Sequence, residues 1–130
     1  KVKEGKDLTI ISTGGILEEA LSAASLLEES FINCRVLSMH TIKPIDVNAI
    51  RQAVSETGGI VTVEENNILG GLGGAVSEVC LEEKLYPSFF HRIGMRDEYS
   101  SIVGDQYFLR SHYGMDSLSI KEKIKKILLK

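Results

Sequence analysis

The chain has 130 residues, 43% of them hydrophobic, which supplies apolar material for one core but too little length for two ordinary domains. Its net charge is -3 and its basic residues are scattered except in the closing segment 121–130, so nucleic acid is not an expected partner. No apolar run approaches the roughly 18 residues that span a bilayer, and the first residues lack the apolar core of a secretion signal. We therefore expect one cytoplasmic domain over residues 1–130, with no membrane partner.

Strand and helix patterns alternate along the chain. Gly14 and Gly15 separate the first strand from a helix with apolar residues on one face, and Pro44 stops the second strand. Asp46 is placed to cap the second helix, because its carboxylate can accept hydrogen bonds from the exposed backbone amides. The predicted elements, in chain order, are strand 8–13, helix 16–29, strand 34–39, helix 47–56, strand 60–63, helix 72–84, strand 89–93 and helices 107–112 and 117–129.

This alternation, with short loops marked by Gly or Pro, predicts an α/β fold in which helices cover both faces of a doubly wound sheet. The pattern yields four clear strands and leaves their order in the sheet open. No repeat, low-complexity segment or linker interrupts the chain. A single three-layer α/β/α domain is the expected architecture.

In open α/β sheets, ligands gather at the carboxyl ends of the strands, which places four segments on one edge. We call this edge the rim, and it comprises residues 12–15, 40–43, 64–74 and 94–97. Its candidate residues for binding an anion or a neighbouring protein surface are Ser12, Gly14, Gly15, His40, Glu64, Glu65, Gly70, Gly71, Gly73 and Gly74.

The glycine cluster at 70–74 allows two interpretations. Its glycines let the backbone turn tightly, and the helix that follows presents unpaired amides and a positive dipole end that suit a phosphate. The cluster is neither a P-loop nor a dinucleotide fingerprint, because no Gly-Lys-Ser/Thr follows and Val76 replaces the third glycine. Glu64 and Glu65 just upstream oppose an anion, so we favour close helix packing or contact with a neighbouring domain.

No catalytic or metal site is predicted. Glu64 and Glu65 are adjacent on a strand and point in opposite directions, so both cannot easily address one substrate atom. The three histidines have no metal-ligand or catalytic spacing, and Ser12 lacks the nucleophile elbow that a hydrolase would need. Cys34 and Cys80 lie far apart inside apolar patterns, which predicts buried thiols rather than a disulfide or a nucleophile.

Three motifs follow one another along the chain: MHTIKPID at 39–46, EENNILGGLGG at 64–74 and RIGMRD at 92–97. On these motifs the chain resembles the C-terminal domain of transketolases, and the first motif is most similar to transketolases that are split into two polypeptides. The resemblance covers nearly the whole chain. It implies a small, mixed, mostly parallel five-stranded sheet with one antiparallel strand, and we expect the fifth strand near residues 100–103.

The resemblance also implies an accessory role. In the parent enzymes, thiamine diphosphate and Mg²⁺ belong to pyrimidine-binding and diphosphate-binding domains, so this domain is expected to bind no cofactor itself and to be inactive alone. Its expected partners are those domains or subunits, in a homodimeric assembly. The parent enzyme would transfer two-carbon ketol units between sugar phosphates, in the pentose phosphate pathway.

Two alternatives stay open. In the first, the rim binds a phosphorylated metabolite and the domain regulates its parent enzyme. In the second, the domain closes a 1-deoxyxylulose-5-phosphate synthase, or a 2-oxo acid dehydrogenase β subunit in which it helps to dock the acyltransferase core.

Overall fold

The computed structural model describes residues 1–40, 43–67, 70–95 and 106–129. The strands are β1 (Leu8–Ser12), β2 (Cys34–Ser38), β3 (Gly59–Asn67) and β4 (Phe90–Met95), and the helices are α1 (Leu17–Glu28), α2 (Val47–Glu56), α3 (Leu72–Glu82), α4 (Gln106–His112) and α5 (Ser117–Leu128). A single 3₁₀ turn, Gly14–Ile16, joins β1 to α1. The predicted elements are therefore confirmed, and the largest difference is the longer β3.

The four strands form one sheet in the order β2-β1-β3-β4, and every neighbouring pair is parallel. Leu8 of β1 pairs with Cys34 of β2 and with Gly59 of β3, so these three strands begin at one level. Parallel strands end at a common edge, and in this sheet that edge is the rim.

Each face of the sheet carries its own hydrophobic cluster, because side chains alternate between the faces along a strand. Ile10 belongs to a cluster that the sheet shares with α1 and α5, whereas the next residue, Ile11, belongs to a cluster shared with α2 and α3. Elements of this chain close both clusters, and the largest apolar side chains in them are fully buried. The domain thus contains a complete core of its own and is expected to fold without a partner.

The predicted cap of α2 is confirmed. The Oδ1 atom of Asp46 accepts a hydrogen bond from the amide of Ala49 at 3.0 Å. Asp116 begins α5 in the same way, because its Oδ1 accepts from the amide of Ser119 at 3.3 Å. Each carboxylate also lies at the positive end of its helix dipole, which adds to the stabilisation of these two helix starts.

The sheet differs from the five-stranded, mixed sheet that the resemblance implies. The described residues contain four strands, all parallel, and residues 100–103, where we expected the fifth strand, lie outside them. An antiparallel contact does occur at the edge strand β2. Lys3 forms an isolated bridge with Val36 of β2, with N···O distances of 3.0 and 3.2 Å. Gly5 permits this approach, because a Cβ there would lie 2.2 Å from the carbonyl carbon of Cys34.

Candidate functional site

The rim joins the carboxyl ends of the strands as predicted. Ser12, the last residue of β1, pairs in register with Ser38 of β2 and Val63 of β3, and its side chain is buried. His40 follows β2 and is exposed. Of the predicted rim, residues 41, 42, 68, 69, 96 and 97 lie outside the described residues.

Glu64 closes the N-terminus of α3 from beneath. Only 1% of its surface is exposed, and its Oε1 and Oε2 atoms accept hydrogen bonds from the amides of Leu72 at 3.0 Å and Gly73 at 2.8 Å. Amides in the first turn of a helix have no intrahelical partner, and a carboxylate there also meets the positive end of the helix dipole. The place where an external anion would bind is therefore held by the chain's own carboxylate.

Glu65 points to the other face of the sheet, as the strand alternation predicts. Its Oε1 atom accepts a hydrogen bond from Nη2 of Arg110 at 2.8 Å, while Nη1 of Arg110 donates to Glu18 at 3.2 Å and lies 3.7 Å from Glu19. Arg110 is 2% exposed, so a buried guanidinium meets carboxylates from β3 and α1. Burial alone would lower the pKa of Arg110, but the hydrogen bonds and charges of Glu65, Glu18 and Glu19 together outweigh it and raise that pKa.

Glu19 extends this network to the last helix. Its second oxygen, Oε2, accepts a hydrogen bond at 2.8 Å from the amide of Ser117, the first residue of α5. The start of α1 is therefore tied to both α4 and α5. We call the side chains of Glu18, Glu19, Glu65 and Arg110 the arginine network.

Sequence reasoning did not find the arginine network. Arg110 was part of a predicted helix with no assigned role, and its partner Glu18 lies 92 positions away in the chain. No short-range spacing signals such a pairing, since it depends on α4 packing beside the start of α1. Glu65 was the one member of the network that the sequence motifs singled out.

The glycines of the cluster have different roles. Gly70 has φ = 74°, in the left-handed region where a side chain is strained. A Cβ at Gly73 would lie 2.7 Å from Cδ of Arg92 and 2.8 Å from Oγ1 of Thr62, so α3 packs tightly on the sheet at this point. A Cβ at Gly74 would meet no atom of the described residues within 4 Å. The predicted close packing therefore holds for Gly73, and the described part of the chain shows none at Gly74.

The two cysteines are buried and not joined by a disulfide, as predicted. Burial raises the pKa of both thiols, that of Cys34 to about 12. A thiol that stays protonated is a poor nucleophile and a poor metal ligand. Within the described ranges, no three His, Cys, Asp or Glu side chains form a group that could hold a metal ion.

Among the described residues of the rim, neither the start of α3 nor Arg110 offers a site for the diphosphate of the cofactor that the resemblance implies. A diphosphate is held by cations or by unpaired backbone amides. Here the amides of Leu72 and Gly73 are bonded to Glu64, and Arg110 is surrounded by carboxylates. The described part of the rim is thus the polar edge of an α/β domain, with Glu64 and Arg110 paired inside the chain. None of the described helices is long and apolar enough to cross a membrane.

Comparisons with known proteins agree with this class. Residues 1–120 match the family model described as "Transketolase, C-terminal domain", and the chain belongs to this family. It is 44% identical over 117 residues to one of the subunits of the apulose-4-phosphate transketolase of Phocaeicola vulgatus, covering 90% of this chain and 36% of the relative. It is 41% identical over 121 residues to a protein of Methanocaldococcus jannaschii described as "Putative transketolase C-terminal section", covering 93% and 37%.

A solved structure described as "Split gene transketolase, inactive beta4 tetramer" is also similar, with a TM-score of 0.85 and 37% identity over 95% of this chain. The chain covers 40% of that structure's chain. It likewise spans little more than a third of the curated relatives above, at 36% and 37% of their length. The similarity therefore concerns one domain of larger enzymes.

Proposed function

We propose that residues 1–130 act as the accessory C-terminal domain of a thiamine diphosphate-dependent transketolase, as in the split enzymes. In this role the domain is inactive alone and contributes to the assembly of the enzyme. Its parent transfers two-carbon ketol units between sugar phosphates in the pentose phosphate pathway of the cytoplasm. Thiamine diphosphate and Mg²⁺ bind to the pyrimidine-binding and diphosphate-binding domains, and the whole enzyme is a homodimer of such units.

The observation that carries this proposal is the internal pairing of the rim. Glu64 is bonded to α3 and Arg110 is bonded to Glu65 and Glu18, so these charged groups of the rim are engaged within the domain. Side chains fixed in this way cannot easily move protons or bind phosphate. They do hold the starts of α1, α3 and α5 in one geometry, which is what a contact surface requires.

Gly74 supplies a second argument. A glycine inside a helix costs about 1 kcal/mol relative to alanine, and among the described residues no neighbour of Gly74 would clash with a side chain there. A surface outside the domain that comes close to α3 would explain why this position has no side chain. We therefore propose that the neighbouring domains contact the rim around Gly70 and Gly71, which precede α3, and Gly74 in its first turn. The side that carries Ser12, Gly14, Gly15 and His40 adjoins this contact.

Reconstitution tests the proposed role. The chain, the polypeptide that carries the cofactor-binding domains, and their mixture would each be assayed for ketol transfer in the presence of thiamine diphosphate and Mg²⁺. We expect activity in the mixture and none in the chain alone. Activity in the chain alone would refute the accessory role, and a cofactor-binding polypeptide with full activity by itself would refute the need for this domain.

Two neighbouring variants locate the contact surface. Gly74→Ala should stabilise the isolated chain by about 0.5 to 1 kcal/mol, yet weaken its association with the partner roughly tenfold, as measured by titration calorimetry. Gly73→Ala is the matched control: it should destabilise the fold by about 1 to 3 kcal/mol through overpacking. If Gly74→Ala associates with the partner as tightly as the parent chain does, the contact does not include this part of α3.

A ligand titration separates this proposal from a regulatory rim. Backbone amide shifts of Gly14, Gly15, Gly70 and Gly74 would be followed while thiamine diphosphate with Mg²⁺, and then inorganic phosphate, is added to the labelled chain. We expect no saturable shifts, because Glu64 already occupies the amides of α3. Saturable shifts at these glycines would instead establish an anion site.

A further inference from the structure

Helices α1 and α5 lie side by side in the same direction. The Glu19 carboxylate near the start of α1 bonds to the amide of Ser117 at the start of α5, and both helices pack into the same cluster. Phe31 lies 12 residues after Glu19, and Leu129 lies 12 residues after Ser117. At a rise of about 1.5 Å per residue the two chain segments reach the same level, about 18 Å away at the edge opposite the rim.

Phe31 occupies a position that favours glycine. The amides of Phe31 and Ile32 bond to the carbonyls of Glu28 and Leu27, a Schellman motif that ends α1 with Phe31 at φ = 61°. The end of α4 has the same pair of bonds, and there the residue in the left-handed conformation is Gly114. An aromatic side chain is strained in this conformation, and 89% of Phe31 is exposed. Neither the local geometry nor the core explains this phenylalanine.

Phe31 is grouped with two exposed apolar side chains, with an acidic residue at the end of α1 and with a basic residue near the end of α5. Leu129 is 86% exposed and Leu128 is partly exposed. Glu29 ends α1, where a carboxylate meets the negative end of the helix dipole, and Lys126 lies in the last turn of α5. Neither Glu29 nor Lys126 forms an ion pair among the described residues. We call Glu29, Phe31, Lys126, Leu128 and Leu129 the far-end patch.

We propose that the far-end patch is a self-association surface whose occupant is a second copy of this chain. A two-fold axis near Phe31 places the acidic end of α1 against the basic end of α5 of the other copy, so the patch is complementary to itself. Phe31 and Leu129 then form the apolar centre of the contact and the two Glu29–Lys126 pairs form its border. This surface is separate from the rim and goes beyond the contact with cofactor-binding domains proposed above.

Sedimentation velocity of the 130-residue chain over a range of concentrations tests the centre of the patch. We expect reversible dimers, with a dissociation constant that rises about tenfold or more in Phe31→Gly. This variant should fold at least as well as the parent, because glycine suits the left-handed position. The control is Tyr86→Ser, which removes another aromatic side chain, 76% exposed, from the loop before β4. A parent chain that stays monomeric near about 1 mM, or equal weakening by both variants, would overturn the proposal.

Charge reversal tests the two-fold arrangement. Glu29→Lys and Lys126→Glu should each weaken their own homodimer, because each places like charges opposite one another in both border pairs. An equal mixture of the two variants should form heterodimers as stable as the parent dimer, since both border pairs are then attractive. A mixture no more associated than its separate components would exclude this pairing.

These tests fail independently of the proposed function. A chain that reconstitutes ketol transfer but does not dimerise through Phe31 leaves the accessory role intact and refutes the far-end patch. A chain that dimerises through Phe31 but has no effect on a cofactor-binding polypeptide supports the patch and refutes the accessory role.

Discussion

The rim and the far-end patch differ in how far their side chains are buried and paired. At the rim, Glu64 and Arg110 are buried and bonded to partners within the domain. At the far-end patch, Phe31 and Leu129 are almost fully exposed. The rim therefore contributes to the stability of the isolated domain, whereas the far-end patch contributes little to it.

This difference indicates which residues stabilise the fold and which would act only in contact with another surface. Removing a buried, paired group leaves its partners unsatisfied inside the protein, so its cost appears in the free energy of unfolding. Removing an exposed side chain leaves nothing unsatisfied, so any cost appears only when a second surface is present. Substitutions at the two edges should accordingly separate stability from association.

The largest effect on stability is expected at Arg110. Arg110→Met should lower the free energy of unfolding by about 3 kcal/mol, because Glu18, Glu19 and Glu65 lose their common cation while the stem volume is kept. Urea denaturation measures this. The control is Arg51→Met. Arg51 forms a 2.8 Å pair with Glu83 in which the two side chains are 48% and 37% exposed, so the pair should contribute less than about 1 kcal/mol. Equal effects of both variants would contradict the role of burial.

Glu64 is next in the expected order. Glu64→Ala should destabilise the chain by about 2 kcal/mol, because two amides at the start of α3 lose their acceptor in a buried place. Hydrogen exchange at Leu72 and Gly73 should accelerate more than exchange in α5. Glu64→Gln retains one oxygen acceptor and should lose less. A variant with unchanged protection of these two amides would show that the carboxylate does not cap α3 in solution.

The buried thiol of Cys34, at the edge opposite the rim, should make the free energy of unfolding fall at high pH. Burial raises the pKa of its thiol from 9.0 to about 12, so the unfolded chain releases the proton first. Its contribution to stability is fully present below pH 9.0 and is lost as pH rises through about 12, with a slope of about 1.4 kcal/mol per pH unit.

Chemical denaturation of the parent and of Cys34→Ala between pH 8 and 10.5 would isolate this contribution as the difference between their slopes. The alanine variant should lose less stability as pH rises, although a small cavity lowers its stability at every pH. Parallel pH profiles for the two proteins would exclude a protonated, buried thiol at position 34.

The smallest effect on stability is expected at the far-end patch. Phe31→Gly should stabilise the monomer by about 0.5 to 1 kcal/mol, because glycine removes the strain of φ = 61°. Lys84 ends α3 in the same conformation, with φ = 57°, and Lys84→Gly should give a similar gain. Thermal unfolding at low protein concentration measures both. Loss of stability in Phe31→Gly alone would mean that Phe31 packs within its own domain.

Much of the fold was accessible from local patterns. Asp46 was predicted as the cap of α2 because an N-terminal carboxylate acts within three residues, and the structure confirms this contact. The strand alternation also predicted that Glu64 and Glu65 would address opposite faces, which their bonds to α3 and to Arg110 confirm. Local sequence patterns could not assign separate roles to the glycines of the cluster, because Gly73 and Gly74 look equivalent in a sequence.

The antiparallel part of the sheet shows a limit of the same kind. The bridge between Lys3 and Val36 depends on the edge strand β2 having one side open to the N-terminal segment, which no local pattern reports. The expected site for a fifth strand, residues 100–103, lies outside the described residues and stays a prediction.

The sequence by itself determined the order of strands and helices, the cap of α2, the buried thiols and the family, because these follow from periodicity, short-range hydrogen bonding and motif spacing. Only the tertiary structure decided that Arg110 joins α4 to the start of α1, that Glu64 fills the anion position of α3, and that Phe31 is left exposed. The reason is physical: each of these depends on where distant segments are brought together, and packing of the whole chain sets those distances.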